Sequence, residues 1–219
     1  VPDLNFAVVG AEPEPHAASP LLAFKLRIQE NARGLAPTPI AAVALRCQIR
    51  IEPTRRTYSA QSRDLLGDLF GEPARWGQTL KSALWTHGSI VVPPFTETTE
   101  VDLPVPCSFD FNVAATKYFH ALDDGEVPLT FLFSGTIFYN SADGPLHISQ
   151  ISWEKEASFR LPVATWKAMI DHYYPHCAWL CLERAAFDRL HQFKTQRGIP
   201  TWERAIEALL DASLEKVES

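Results

Sequence analysis

The chain has 219 residues, 46% of them hydrophobic and 21% charged, a composition that builds a real core and argues against extended disorder. Twenty Lys+Arg against 26 Asp+Glu leave a formal charge of −6, and the longest basic run is Arg55-Arg56, so a nucleic-acid partner is not expected. No apolar run approaches the roughly 18 residues of a membrane-spanning helix, and the opening VPDLNFAVVGAEPEPH has no charged segment followed by an apolar one, so a soluble, cytoplasmic protein is expected rather than a secreted one.

In chain order, Leu4, Phe6 and Val8 make a short first strand. Leu22, Phe24, Leu26 and Ile28 alternate with Ala23, Lys25, Arg27 and Gln29, and Val43, Leu45, Cys47, Ile49 and Ile51 alternate with polar residues such as Arg46, Gln48 and Arg50. A period of two gives one dry and one wet face, which no helix reproduces. Residues 59–71 predict a helix that opens at the capping residue Ser59 and runs toward Gly71. GSIVV at 88–92 is a weaker strand signal. Val101, Leu103, Val105, Cys107 and Phe109 predict another strand, and Pro104 and Pro106 put it at a sheet edge because proline cannot donate to a ladder. Residues 112–122 predict a second helical insertion, capped by Asn112 and stopped by Asp123-Asp124-Gly125.

The run 127–139, VPLTFLFSGTIFY, is apolar on both faces and predicts a central strand. NSADGP at 140–145 is a turn, and the chain returns with Ile151, Trp153, Ala157, Phe159 and Leu161 in one phase, which predicts a long hairpin. About seven strands on short connections predict an α+β fold: an antiparallel, β-sandwich-like domain with two short helical insertions.

After Pro162 the period becomes helical. Residues 163–174 make one helix, ended by Pro175; 176–197 make a second, closed by Gly198-Ile199 in a Schellman pattern; a third follows Pro200, with Trp202, Ile206, Leu209 and Leu210 at helical spacing. EKVES at 215–219 reads as a frayed end. The expected organisation is a β-rich domain over 1–162 and a C-terminal region of about three helices over 163–219, packed on it as a single structural unit.

The densest ligand-type residues are His172, His176, Cys177 and Cys181. They are the only candidates for a metal site, which needs three or four converging ligands. Pro175 splits the histidines, and no second CxxC or HxxxH completes a set. On a helical wheel Trp179, Leu182, Ala186, Leu190 and Phe193 form the core stripe, with the cysteines on the opposite side beside Arg184 and Asp188. If that stripe is buried, Leu190→Ala costs roughly 2–5 kcal/mol and Cys181→Ser little.

The other two cysteines, Cys47 and Cys107, read as buried core residues, and all four as reduced thiols. Asp123, Asp124 and Glu126 lack the spacing of a calcium loop and read as a solvated turn. Arg55-Arg56 with Tyr58 suggests an anion contact but more simply a charged loop. His120, on the second insertion, has no nucleophile or acid beside it in sequence. No GxSxG, HExxH, P-loop or GxGxxG is present, so no catalytic residue, cofactor or bound metal is expected. The core is the default place for the aromatic residues, Trp76, Trp85 and Trp153 included; these three sit near turns or apolar insertions, and any of them left exposed would mark a partner surface.

KYFHALDDGEVPLTFLFSGTIFY at 117–139, SWEKEASFRLPVATWKAMIDHYYP at 152–175 and RLHQFKTQRGIPTWERAIEALL at 189–210, with LNFAVVGAEPEPHAASPLLAFKLRI at 4–28, resemble an uncharacterised bacterial family of about this length. That family is associated with gene neighbourhoods of [NiFe] hydrogenases. The resemblance implies a non-enzymatic accessory or interaction protein, whose partner is a hydrogenase or its maturation machinery; it assigns no residue a role. The alternatives are a small-molecule- or metal-binding protein or enzyme with a pocket between sheet and helices, and a chaperone-like binder of unfolded chains.

Overall fold

The computed structural model describes residues 1–31, 37–108, 113–140 and 144–214. The chain folds as two compact units, Val1–Cys177 and Ala178–Ser219. Among the described residues, the first unit holds strands β1 (Leu4–Pro13), β2 (Leu21–Glu30), β3 (Ile40–Ile51), β4 (Ala83–Val92), β5 (Thr98–Pro106), β6 (Glu126–Asn140), β7 (Leu146–Gln150) and β8 (Glu156–Pro162). Its helices are α1 (Ala60–Phe70), α2 (Trp76–Thr79), α3 (Val113–His120) and α4 (Val163–Tyr173). The second unit holds α5 (Arg184–Gln196) and α6 (Trp202–Leu214).

The strands form two antiparallel sheets, one in the order β1-β2-β5 and one in the order β4-β3-β6-β7, with β8 also paired to β6. The alternating rows explain why the sheets face each other. Leu22, Phe24, Leu26 and Ile28 of β2 and Val43, Leu45, Cys47, Ile49 and Ile51 of β3 are all buried. Rings interlock across the gap: Phe6 stacks on Phe133 at 4.5 Å, and Phe24 meets Phe131 at 5.1 Å and Trp85 at 6.1 Å. The prolines of β5 lie on an edge strand, as expected, and β6 is central in its sheet.

Two strands differ from the sequence expectation. β4 starts at Ala83 rather than near Gly88. Thr86 pairs with Ile49 and Leu84 with Arg50, so Trp85 is an extra, bulged residue. Trp85 and Thr86 are consequently both buried, which erases the alternation.

The strand returning from β6 is broken rather than continuous. β8 pairs with the first half of β6 and β7 with the second. Between them the Lys155 amide donates to Ser152 O at 3.1 Å, closing a turn, while Phe133 N–H donates to Lys155 O and Ile151 N–H to Gly135 O. The turn resets the phase: Ile151 is buried, but Trp153 is 91% exposed instead of sharing the core face.

α1 begins where expected, with Ser59 Oγ accepting from Ser62 N–H, and ends at Gly71 with φ of 71°. α3 starts at Val113, and the expected cap Asn112 lies outside the described residues, as do Phe109, residues 141–143 of the turn and the terminal 215–219. α4 packs against β1, β2 and β8. Its Trp166 is buried and stacks on Phe119 of α3 at 5.0 Å. Tyr118 of α3 lies among Phe70, Phe119 and Tyr58, so the insertion helices and α4 share one aromatic cluster.

In the second unit α5 closes with the full Schellman pair, Ile199 N–H to Lys194 O at 3.0 Å and Gly198 N–H to Thr195 O at 3.1 Å, with Gly198 at φ 63°. Thr201 Oγ1 then accepts from Arg204 N–H at the start of α6. The Trp202 ring meets Phe187 at 5.3 Å and His191 at 5.9 Å, which holds the two helices as a hairpin. Among the described residues no helix is long and apolar enough to cross a membrane.

Candidate functional site

The segment 172–181 is not the start of a helix. α4 ends at Tyr173, and α5 begins only at Arg184, not at 176. The residue before a proline is driven out of the helical region, and Tyr174 has φ −134° and ψ 65°. His176 follows at φ 61°, and Cys177 N–H closes a turn onto Tyr174 O at 3.2 Å. With no helix, the expected common face of Cys177 and Cys181 does not exist, and Trp179 and Leu182 leave the core stripe for exposed positions.

His172 has a structural contact: its Nε2 lies 3.3 Å from Pro15 O, and the neighbouring Tyr173 hydroxyl reaches Glu14 O and Ala17 O. These bonds anchor the end of α4 to the loop after β1. Among the described residues no three His, Cys, Asp or Glu side chains converge as metal ligands would.

The four thiols fall into two environments. Cys177 and Cys181 are exposed; Cys47 and Cys107 are buried, and burial pushes both of their pKa values up to about 12. Thiolate is the reactive species. An aromatic disulfide reagent at pH 8 is therefore expected to titrate two thiols rapidly and the other two only in denaturant. Cys177→Ser/Cys181→Ser should abolish the fast phase; a fast phase surviving in that variant would contradict the assignment.

A polar cleft of about 680 Å³ opens where the 3-10 turn Pro53–Arg55, the turn before β6 and β8 meet. Arg55, Arg56 and Arg160 line it together with Asp124 and Glu126. Arg56 is held in place by the backbone: Nη2 donates to Asp124 O at 3.1 Å, Nη1 to Glu126 O and Nε to Thr57 O at 3.3 Å, and the guanidinium lies 5.1 Å from the Tyr58 ring centroid. Behind it, Tyr58 O–H donates to Pro53 O at 2.7 Å and so accepts from Tyr118 O–H at 3.0 Å. Burial raises the pKa of both phenols and keeps this pair neutral. Ser59 and Asp123 are hydrogen-bonded, and Lys167 donates to Asp123 O, so the acidic turn is tied to α1 and α4. The sequence drew attention to Arg55-Arg56; Arg160 joins them only because β8 pairs with β6, with Arg160 opposite Pro128.

His120 packs edge-on against Trp166 at 4.9 Å. Partial burial and then the Lys167 charge lower its pKa, against the opposing pull of Asp171. A lowered folded-state pKa means the unfolded chain takes up the proton first. This contribution to stability is intact above the ordinary histidine pKa of about 6.5 and declines as pH falls below it toward the folded value. Urea midpoints at pH 8 and pH 5 should differ less for His120→Gln than for the parent; an equal difference would show that His120 does not take part.

The second unit presents an apolar stripe. Ala205 is buried, but Ile206, Leu209, Leu210 and Leu214 of α6 are exposed, the last two at 57% and 65%. Their three- and four-residue spacing puts them on one side of the helix. Phe187 of α5 and Leu180 and Leu182 before it are exposed as well.

The model of a family described as one of unknown function matches residues 1–218. No curated protein and no solved structure matches the chain.

Proposed function

The chain belongs to that family, DUF6084, and from this premise we propose that it is a non-enzymatic accessory protein that binds a partner protein through the α5–α6 hairpin. The observation that carries this reading is the exposed stripe Ile206, Leu209, Leu210 and Leu214. An amphipathic helix gains most of its stability by burying its apolar face, and an uncovered apolar patch on a folded chain is characteristic of a docking surface. The resemblance to a family encoded beside [NiFe] hydrogenases supports a hydrogenase, or its maturation machinery, as that partner, and supports a place in the cytoplasm.

The test is capture of the tagged full-length chain at native abundance from its own host, beside a Leu209→Glu/Leu210→Glu variant. Both leucines are exposed, so the variant should fold. A hydrogenase subunit or maturation protein recovered with the parent and lost with the variant supports the reading. A monomeric chain with no partner, or capture indifferent to the two substitutions, overturns it.

A further inference from the structure

We propose that the arginine cleft is a binding site for the phosphate group of a small phosphomonoester. This site is separate from the α5–α6 surface and does not depend on the partner reading. The chain as a whole is acidic, at −6, so three arginines lining one cleft from two distant segments are not a by-product of a basic composition. Guanidinium is the side chain whose planar donor fork matches a phosphate.

The three arginines are differently prepared. Arg56 is fixed by three backbone carbonyls and by the Tyr58 ring, so its geometry is set before any ligand arrives. Carbonyl dipoles orient its charge without cancelling it. Arg55 has no ion-pair partner among the described residues and is exposed. Arg160 faces Glu126 at 4.0 Å with both side chains at least half exposed, a loose pair that contributes little and can be exchanged for a ligand oxygen. Thr54 and Thr57 complete the lining beside the arginines.

The two carboxylates set the limit on charge. Three arginines against Asp124 and Glu126 leave a surplus of one positive charge in the lining. That suits one phosphate and disfavours a polyphosphate or a nucleic-acid backbone. The cleft is open to solvent, so the organic part of a small metabolite can extend out of it.

The test is titration of the ¹⁵N-labelled full-length chain with potassium phosphate, with glucose 6-phosphate as a model ester, and with potassium chloride at matched ionic strength. The expected result is a saturable shift of the Thr57 and Gly125 amides with a Kd of roughly 1 mM or tighter, absent with chloride. Tighter binding of the ester than of phosphate assigns contacts to the organic part; equal binding assigns recognition to the phosphate alone. Arg55→Ala/Arg160→Ala should weaken binding about tenfold, the loss of one to two phosphate contacts. Glu126→Gln should tighten it roughly threefold by removing an opposing charge, a gain that misfolding cannot produce. Shifts that follow ionic strength without saturating, or an affinity indifferent to all three substitutions, overturn the proposal.

Discussion

Gly135→Ala is expected to destabilise the sandwich by about 4 kcal/mol, the sum of roughly 1–3 for backbone strain and roughly 1–3 for overpacking. Gly135 sits in the middle of β6 at φ 139°, a conformation open to glycine and costly for any other residue. It pairs with Leu45 of β3, and a Cβ built on it would overlap the carbonyl oxygen of Ala44. Relief would require β3 to move away from β6 at the centre of the five-stranded sheet. Gly135 O also accepts from Ile151 N–H, so the same residue holds the chain where it passes from β7 toward β8. Gly67 gives the contrast. It lies inside α1, nothing stands within 4 Å of a Cβ there, and Gly67→Ala should stabilise by up to about 1 kcal/mol. Urea unfolding of the two variants reads both effects as shifts of midpoint at constant slope. A parental midpoint for Gly135→Ala would mean that the β3–β6 register is wrong.

What the sequence disclosed depended on how local the cause was. The rows over 22–28 of β2 and 43–51 of β3 are legible because each stretch is regular and one face is fully buried. The Schellman closure at Gly198 was legible because its residues are consecutive and its hydrogen bonds span only a few positions. The pattern alone shortens β4, because a bulge at Trp85 inserts one residue, and one residue is enough to invert the apparent phase. The pattern misplaces Trp153 for a similar reason: the turn Ser152–Lys155 interrupts an apolar series that otherwise keeps step.

The segment 176–197 failed in a different way. Its apolar residues keep helical spacing right through 177–183, yet those residues are not helical. Spacing reports where side chains would fall if a helix formed; it cannot report that Pro175 and the left-handed His176 send the backbone elsewhere. The arginine cleft was half legible. Arg55 and Arg56 are adjacent and announce themselves, but Arg160 enters through strand pairing, and no local pattern encodes which strand lies beside which.

Phe24→Ala should cost about 3–5 kcal/mol, the usual range for emptying a fully buried aromatic site. Phe24 stands on the central strand of the three-stranded sheet and is fully buried. Its ring meets Trp85 of β4 at 6.1 Å, Phe131 of β6 at 5.1 Å and Phe159 of β8 at 5.9 Å. It therefore touches three strands of the opposite sheet at once. Close packing from several directions leaves little freedom for collapse into the void, and the penalty grows with the cavity that remains. Leu190→Ala is the informative partner. On a helical wheel Leu190 belongs to a buried stripe, which assigns it a comparable cost. In the structure it is only half-buried, on α5, and Trp179 and Leu182 are no longer in its stripe. Its truncation should cost less than about 2 kcal/mol, the lower end of the range for a buried leucine. Chemical denaturation of both variants decides between the two descriptions. A deep loss for Phe24→Ala and a shallow one for Leu190→Ala places the main source of stability between the sheets, leaving the hairpin's apolar face free to contribute to binding instead. Equal losses would mean that the α5–α6 unit carries a core of its own, and the docking role of its exposed stripe would lose its physical basis.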